Sequence, residues 1–153
     1  TILRANLAVT WDFGARGALT AQWNGQWSRD SLVPAEQFGI GGMGSVRGFN
    51  GRGATGDVGQ RIGLEWAAPL KRLHEPWRLD GAWQLFAETA QAQRNNPLPE
   101  EIIRTRLASV GAGIRITWRE QLTLRADLGI ITEGAQVAKR GEHYIHASMG
   151  YGF

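Results

Sequence analysis

Apolar and polar residues alternate with a period of two along most of the chain. From Ile145 onward the odd positions are Ile145, Ala147, Met149, Tyr151 and Phe153, and the even ones are His146, Ser148, Gly150 and Gly152. The same alternation sets Leu122, Leu124, Ala126, Leu128 and Ile130 against Thr123, Arg125, Asp127 and Gly129. It also sets Ala108, Val110, Ala112, Ile114, Ile116 and Trp118 against Ser109, Gly111, Gly113, Arg115 and Thr117. Further back, Trp77, Leu79, Trp83, Leu85 and Ala87 oppose Arg78, Asp80, Gln84 and Glu88, and Ile62, Leu64 and Trp66 oppose Arg61, Gly63 and Glu65. Leu19, Ala21, Trp23 and Trp27 oppose Thr20, Gln22, Asn24 and Gln26, and Leu3, Ala5, Leu7, Val9 and Trp11 oppose Arg4, Asn6, Ala8 and Thr10. Successive side chains of an extended strand point to opposite faces, so each stretch predicts a β-strand with one apolar face. Seven strands result, of about the length that crosses a bilayer at a tilt. All five prolines (Pro34, Pro69, Pro76, Pro97 and Pro99) are expected between them.

The connections alternate in length. Asp12–Gly14, Ala68–Pro76 and Arg119–Glu120 are predicted turns on one side, and Asp30–Asp57, Ala92–Thr105 and Thr132–Glu142 longer loops on the other. Short turns at one end and long loops at the other is the pattern of an outer-membrane barrel, and it puts Phe153 at the periplasmic end. Seven antiparallel strands leave the first and last running the same way, so an ordinary antiparallel ring cannot close on them. Residues 1–153 are therefore read as a single segment of an all-β, antiparallel transmembrane barrel: its C-terminal part, of about seven to eight strands, with one long loop at 30–57. The start at Thr1, without a basic and apolar leader, is read as a mature chain or a fragment.

Alternation alone also suits a soluble sandwich or jelly roll, and the chemistry of the two faces separates the cases. A water-facing sheet carries many Lys and Glu and few Gly. Here the polar face holds Gly, Ser, Thr, Gln and Asn, with arginines offset by Glu65, Asp80, Glu88 and Asp127. The apolar face has no charged residue in its strand centres, where one Arg or Lys at mid-bilayer would cost about 2–4 kcal/mol. All seven Trp fall on that face, several at strand ends where interfacial aromatic girdles lie, and Trp23, Trp83 and Phe153 are expected to point outward. No run approaches the roughly 18 apolar residues of a membrane helix. The chain has no Cys, which excludes a disulfide framework and thiolate metal sites. Its 17 Lys and Arg are interspersed with 14 Asp and Glu, which argues against a nucleic-acid partner.

Few residues suggest covalent chemistry. Gly39–Gly44 matches the spacing of a dinucleotide loop, but the glycine-rich sequence that follows cannot supply the helix such a loop needs. His143 and His146 fall on opposite faces of a strand, and no nucleophile elbow is present. No catalytic, metal or cofactor site is expected.

The informative run is Glu36-Gln-Phe-Gly-Ile-Gly-Gly-Met-Gly-Ser-Val-Arg-Gly-Phe-Asn50, continuing through Gly56-Asp-Val-Gly to Leu64-Glu-Trp66. It resembles the haemolysin secretion/activation family, the outer-membrane transporters of two-partner secretion, and the likeness extends over nearly the whole chain. The resemblance implies that Asp30–Asp57 folds back into the barrel with Val46, Arg47, Gly48 and Phe49 at its tip. It further implies that Arg47 meets a lumen-facing acid of a Phe-x-Asp-x-Gly strand motif, which matches Phe86-Ala-Glu-Thr-Ala90 here. Glu88 then stands for Asp and Ala90 for Gly. The plainer alternative is that Arg47 is a solvated turn residue and Glu88 balances a neighbouring arginine.

Tyr151 and Phe153 are similar to a C-terminal signal read by the barrel-assembly machinery, although a last lipid-facing strand explains them as well. The implied function is export of a secreted partner polypeptide of the haemolysin or adhesin type, with outer-membrane lipid as the surrounding medium and no enzymatic activity. An assembly insertase of the same superfamily, a passive porin and a rim enzyme are the alternatives.

Overall fold

The computed structural model describes residues 1–51, 53–74 and 79–152, with backbone alone for 71–74. The main sheet has seven antiparallel strands: β1 Ile2–Asp12, β2 Ala18–Ser28, β5 Val58–His74, β6 Leu79–Gln93, β7 Arg104–Trp118, β8 Leu122–Glu133 and β9 His143–Tyr151. They lie side by side in chain order, each bonded to its neighbours, and the sheet is open at β1 and β9. The long loop contributes a small hairpin of its own, β3 Phe38–Ile40 with β4 Ala54–Gly56. Periodicity could not announce three-residue strands set among glycines.

The two faces carry the expected residues throughout. One rung of the ladder runs Trp11, Leu19, Trp66, Leu85, Ala112, Leu128, Ile145, all on the outer face. Beyond it β1 has a single residue, whereas β6 to β9 continue for six (85 to 79, 112 to 118, 128 to 122, 145 to 151). That stagger is how tilted barrel strands offset one another. Trp83, Leu85, Val110, Ile114, Leu124, Leu128 and Ile130 stand exposed along the outer face, an apolar surface that water does not tolerate over such an extent. Trp23 also faces outward, packed over Gly25. Trp77, Arg78 and Phe153 lie outside the described residues.

Strand ends run past the sequence reading at several connections; β8, for one, reaches Glu133, inside the stretch read as the loop 132–142. β5 continues to His74 through the stretch read as a connection, so Pro69 lies within a strand, opposite Ala82 of β6. The β2 ladder ends at Ala18–Ala67, so β5 has one partner strand at Pro69, and an edge of this kind tolerates a residue without an N–H. β6 and β7 extend into the stretch read as the loop 92–105, so Arg104 and Arg106 are strand residues on the outer face. They sit beyond the apolar band, Arg106 on the rung Gln60–Gln91–Arg106 and Arg104 on the next, Val58–Gln93–Arg104, where outer-face chemistry turns polar on the long-loop side.

The turns at the opposite end are tight. Between β1 and β2, Gly17 has φ 105 and an added Cβ would lie 2.2 Å from the Ala67 carbonyl oxygen, so glycine is required. Phe13 beside it stacks on Trp66 at 5.4 Å. Between β7 and β8, Arg119 and Glu120 both adopt left-handed backbone (φ 51 and 63), closed by the Gln121 N–H donating to the Trp118 carbonyl at 3.1 Å. Such a conformation costs a residue other than glycine about 1–2 kcal/mol. Glu120→Gly is therefore expected to stabilise the folded sheet by about 0.5–1 kcal/mol. The check is a rise in the temperature at which the detergent-resistant folded band is lost; a fall would contradict the turn geometry.

Candidate functional site

The long loop between β2 and β5 lies on the inner face and is tied down at both ends. At its stem, Asp57 is buried, and its carboxylate accepts the Leu32 N–H at 2.7 Å and the Asn95 N–H at 2.8 Å. One side chain thus joins the start of the loop, its end, and the neighbouring β6–β7 connection. Gln26 and Arg4, inward on β2 and β1, donate to the Glu36 carbonyl at 2.9 and 3.1 Å.

At the tip, Val46, Arg47, Gly48 and Phe49 are all buried. Val46 and Phe49 join Ile40, Ala90, Ala92, Leu107 and Ile131 in an apolar cluster between loop and wall. Burial of side chains of this size stabilises docking by about 1.5–3 kcal/mol each. Ala90, where the family motif expects glycine, is part of this cluster. Its one methyl is accommodated.

Arg47 is the centre of the site. Its backbone N–H donates to Glu88 Oε2 at 2.7 Å, its Nε to Glu88 Oε1 at 3.1 Å, and its Nη2 lies 2.9 Å from the same oxygen. Nη1 donates to Glu65 Oε2 at 2.9 Å and stands 3.6 Å from Asp127 Oδ2. The guanidinium lies 3.6 Å above the Phe86 ring, a cation–π contact on the side away from water. Burial works against its charge, but the hydrogen bonds and charges of Glu88 and Glu65 outweigh that and hold the arginine more firmly protonated than usual.

Two further arginines complete the network. Arg61 Nη2 donates to Glu88 Oε1 at 3.0 Å, and Arg125 lies 2.7 Å from Asp127 and 3.5 Å from Glu65. Three guanidiniums thus face three carboxylates drawn from β5, β6 and β8, so the buried charge balances. Such balance is what makes ionised groups tolerable in a confined site.

The glycines of the inner face make room for this arrangement. Phe86 is paired with Gly111 across the β6–β7 ladder, and an added Cβ there would lie 2.3 Å from its ring. A Cβ on Gly113 would lie 2.0 Å from Asp127 Oδ1. Gly129 meets the loop itself, since its Cβ would stand 2.6 Å from the backbone N and Cα of Gly48. Gly48 has φ 97, which a side chain would strain in any case. The Gly48 N–H donates to His146 Nε2 of β9 at 3.1 Å. His143 faces the other way, opposite Ile130.

Of the residues singled out from sequence, Val46, Arg47, Gly48, Phe49, Phe86 and Glu88 come together in this one site. Tyr151 lies at the far end of β9, on the outer face and away from it. Sequence reasoning did not single out Asp57, Glu65, Asp127, Arg61, Arg125 or His146 as partners of the loop. For the five strand residues the inward parity was the legible signal, whereas Asp57 stood in the quoted Gly56-Asp-Val-Gly stretch.

An antiparallel sheet with an apolar exterior, staggered strands and a polar inner wall gripping a long loop defines a transmembrane β-barrel protein. The chain belongs to the haemolysin secretion/activation family, whose model, described as haemolysin secretion/activation protein ShlB/FhaC/HecB, matches residues 1–116. The match ends inside β7, so β8 and β9 lie beyond it. Comparison with curated proteins found no match. The family is one of outer-membrane transporters serving two-partner secretion.

The Gly48–Gly129 contact has a direct test. Gly129→Ala is expected to push the tip off the wall at a cost of about 1–3 kcal/mol, with the sheet still assembled. Trypsin cleavage after Arg47 in the folded protein should then become faster than in the wild type. Unchanged cleavage would mean that the tip docks without this contact.

Proposed function

We propose that this protein sits in the bacterial outer membrane and exports a secreted partner polypeptide of the haemolysin or adhesin type, with the Asp30–Asp57 loop held in the lumen by Arg47 as part of the transport mechanism. The observation that carries the reading is the convergence of Glu65, Glu88 and Asp127, from three strands, on one loop arginine. A loop anchored in this way occupies the inner face, where a polypeptide in transit would pass. Membership of the secretion family supports export in preference to barrel assembly or passive diffusion.

In this reading the exposed apolar face meets outer-membrane lipid. Tyr151 and Phe153 present the C-terminal signal to the barrel-assembly machinery. The inner wall offers hydrogen-bonding side chains to a passing chain, and in this reading transport needs no covalent chemistry. Arg47 fixes the loop through planar, multiply bonded contacts that a lysine could not reproduce.

Arg47→Ala in the full-length protein is expected to abolish or strongly reduce export while the barrel still assembles. Removing one partner of a buried ion pair costs about 3–5 kcal/mol, and among the described residues it leaves Glu88 with Arg61 as its one cation. Glu88→Gln should do less harm, because Arg47 keeps Glu65 and Asp127. The double variant should lose less than the sum of the two. Secreted partner is measured in the culture supernatant, with assembly followed by heat-modifiable migration. Normal export by Arg47→Ala, or strictly additive losses, would contradict the latch.

A further inference from the structure

Arg115 on β7 faces the inner wall directly opposite Arg125 of β8, a like-charge pair that a sheet does not choose for stability. Arg125 is engaged by Asp127 and Glu65, whereas Arg115 is exposed and has no ion pair or hydrogen bond among the described residues. Asp80, the acid diagonal to it on β6, is not in ion-pair contact with it. The balanced network of three arginines and three carboxylates therefore stands beside one uncompensated cation.

Arg115 also lines a polar cavity of about 280 Å³ beneath the loop tip, bounded by Met43 and Gly44 above and by Arg61 and Arg125 on the wall. Glu65 and Glu88 line it as well, but both are engaged by Arg47, Arg61 and Arg125, so among the described residues Arg115 is the lining cation without an ion pair. An exposed guanidinium without an ion pair, at the wall of a polar cavity, calls for an acceptor with negative charge.

We propose that this cavity is a transient receiving site for acidic side chains of the polypeptide in transit, with Arg115 binding an Asp or Glu carboxylate as it passes the loop. The inference rests on the transport reading above and assigns it a substrate chemistry. The site is open and Arg115 exposed, so each contact is weak, and weak contacts suit conduction because a passenger must leave as readily as it enters.

The test uses the full-length transporter in planar bilayers, with two synthetic unfolded decapeptides that differ only in carrying glutamate or glutamine at alternate positions. The glutamate peptide is expected to block conductance at a concentration about threefold to fivefold lower than the glutamine peptide. Arg115→Gln should bring that ratio close to one, and Arg115→Lys should restore part of it. Arg115→Gln removes a like-charge pair, so it should assemble, which heat-modifiable migration checks. Equal blockade by both peptides in the wild type, or an undiminished ratio in Arg115→Gln, would overturn the site and leave the transport reading standing. Blockade by neither peptide in the wild type would overturn both.

Discussion

The buried guanidinium of Arg47 is the constraint around which the rest of the inner face is arranged. A charge shielded from water is stable only if opposite charge and hydrogen-bond acceptors meet it at close range. Glu88 supplies both oxygens, Glu65 and Asp127 add their own, and Arg61 and Arg125 keep those acids from becoming the excess. Because the acids come from β5, β6 and β8, the requirement fixes four parts of the chain relative to one another. Phe86 can lie flat beneath the arginine because Gly111 is opposite it, and Asp127 can reach because Gly113 leaves its space empty. The apolar cluster around Val46 and Phe49 adds burial without direction; the ion network supplies the direction.

Much of the sheet was legible in the sequence because one face meets lipid and the other does not, and that difference is written at every second residue. All seven main strands and their facing followed from it. Strand ends did not, because the periodic signal weakens where a strand leaves the bilayer. Arg104 looks like a loop residue until β7 is seen to carry it past the apolar band, and Pro69 looks like a breaker until its free edge is seen. The β3–β4 hairpin was invisible for a different reason: three-residue strands pair through backbone and leave no side-chain pattern.

The site was legible in part. The glycine-rich run pointed to the loop tip, and the parity of Phe86 and Glu88 put both on the same face as the loop. Which other acids would reach Arg47 depends on register between strands distant in sequence. Glu65 and Asp127 become neighbours only through the pairing of β5 with β6 and of β7 with β8, which composition does not encode. Asp57 stood within a quoted motif, yet its role as the clasp of the loop stem needs the position of Asn95, 38 residues away.

The contact between Gly48 and Gly129 bears on how the loop would leave the wall. Backbone slides against backbone there, with no side chain interlocked on either surface. A joint of that kind behaves as a plain bearing: withdrawal of the tip needs no rotamer to swing aside at that point. Resistance to opening then comes from re-solvating the ions and re-exposing the Val46 and Phe49 cluster, and not from interlocked shapes at this joint. A competing carboxylate would act on the lubricated joint as a hand acts on a drawn bolt, whereas trimming Val46 or Phe49 would lower the resistance and leave the slide as smooth as before.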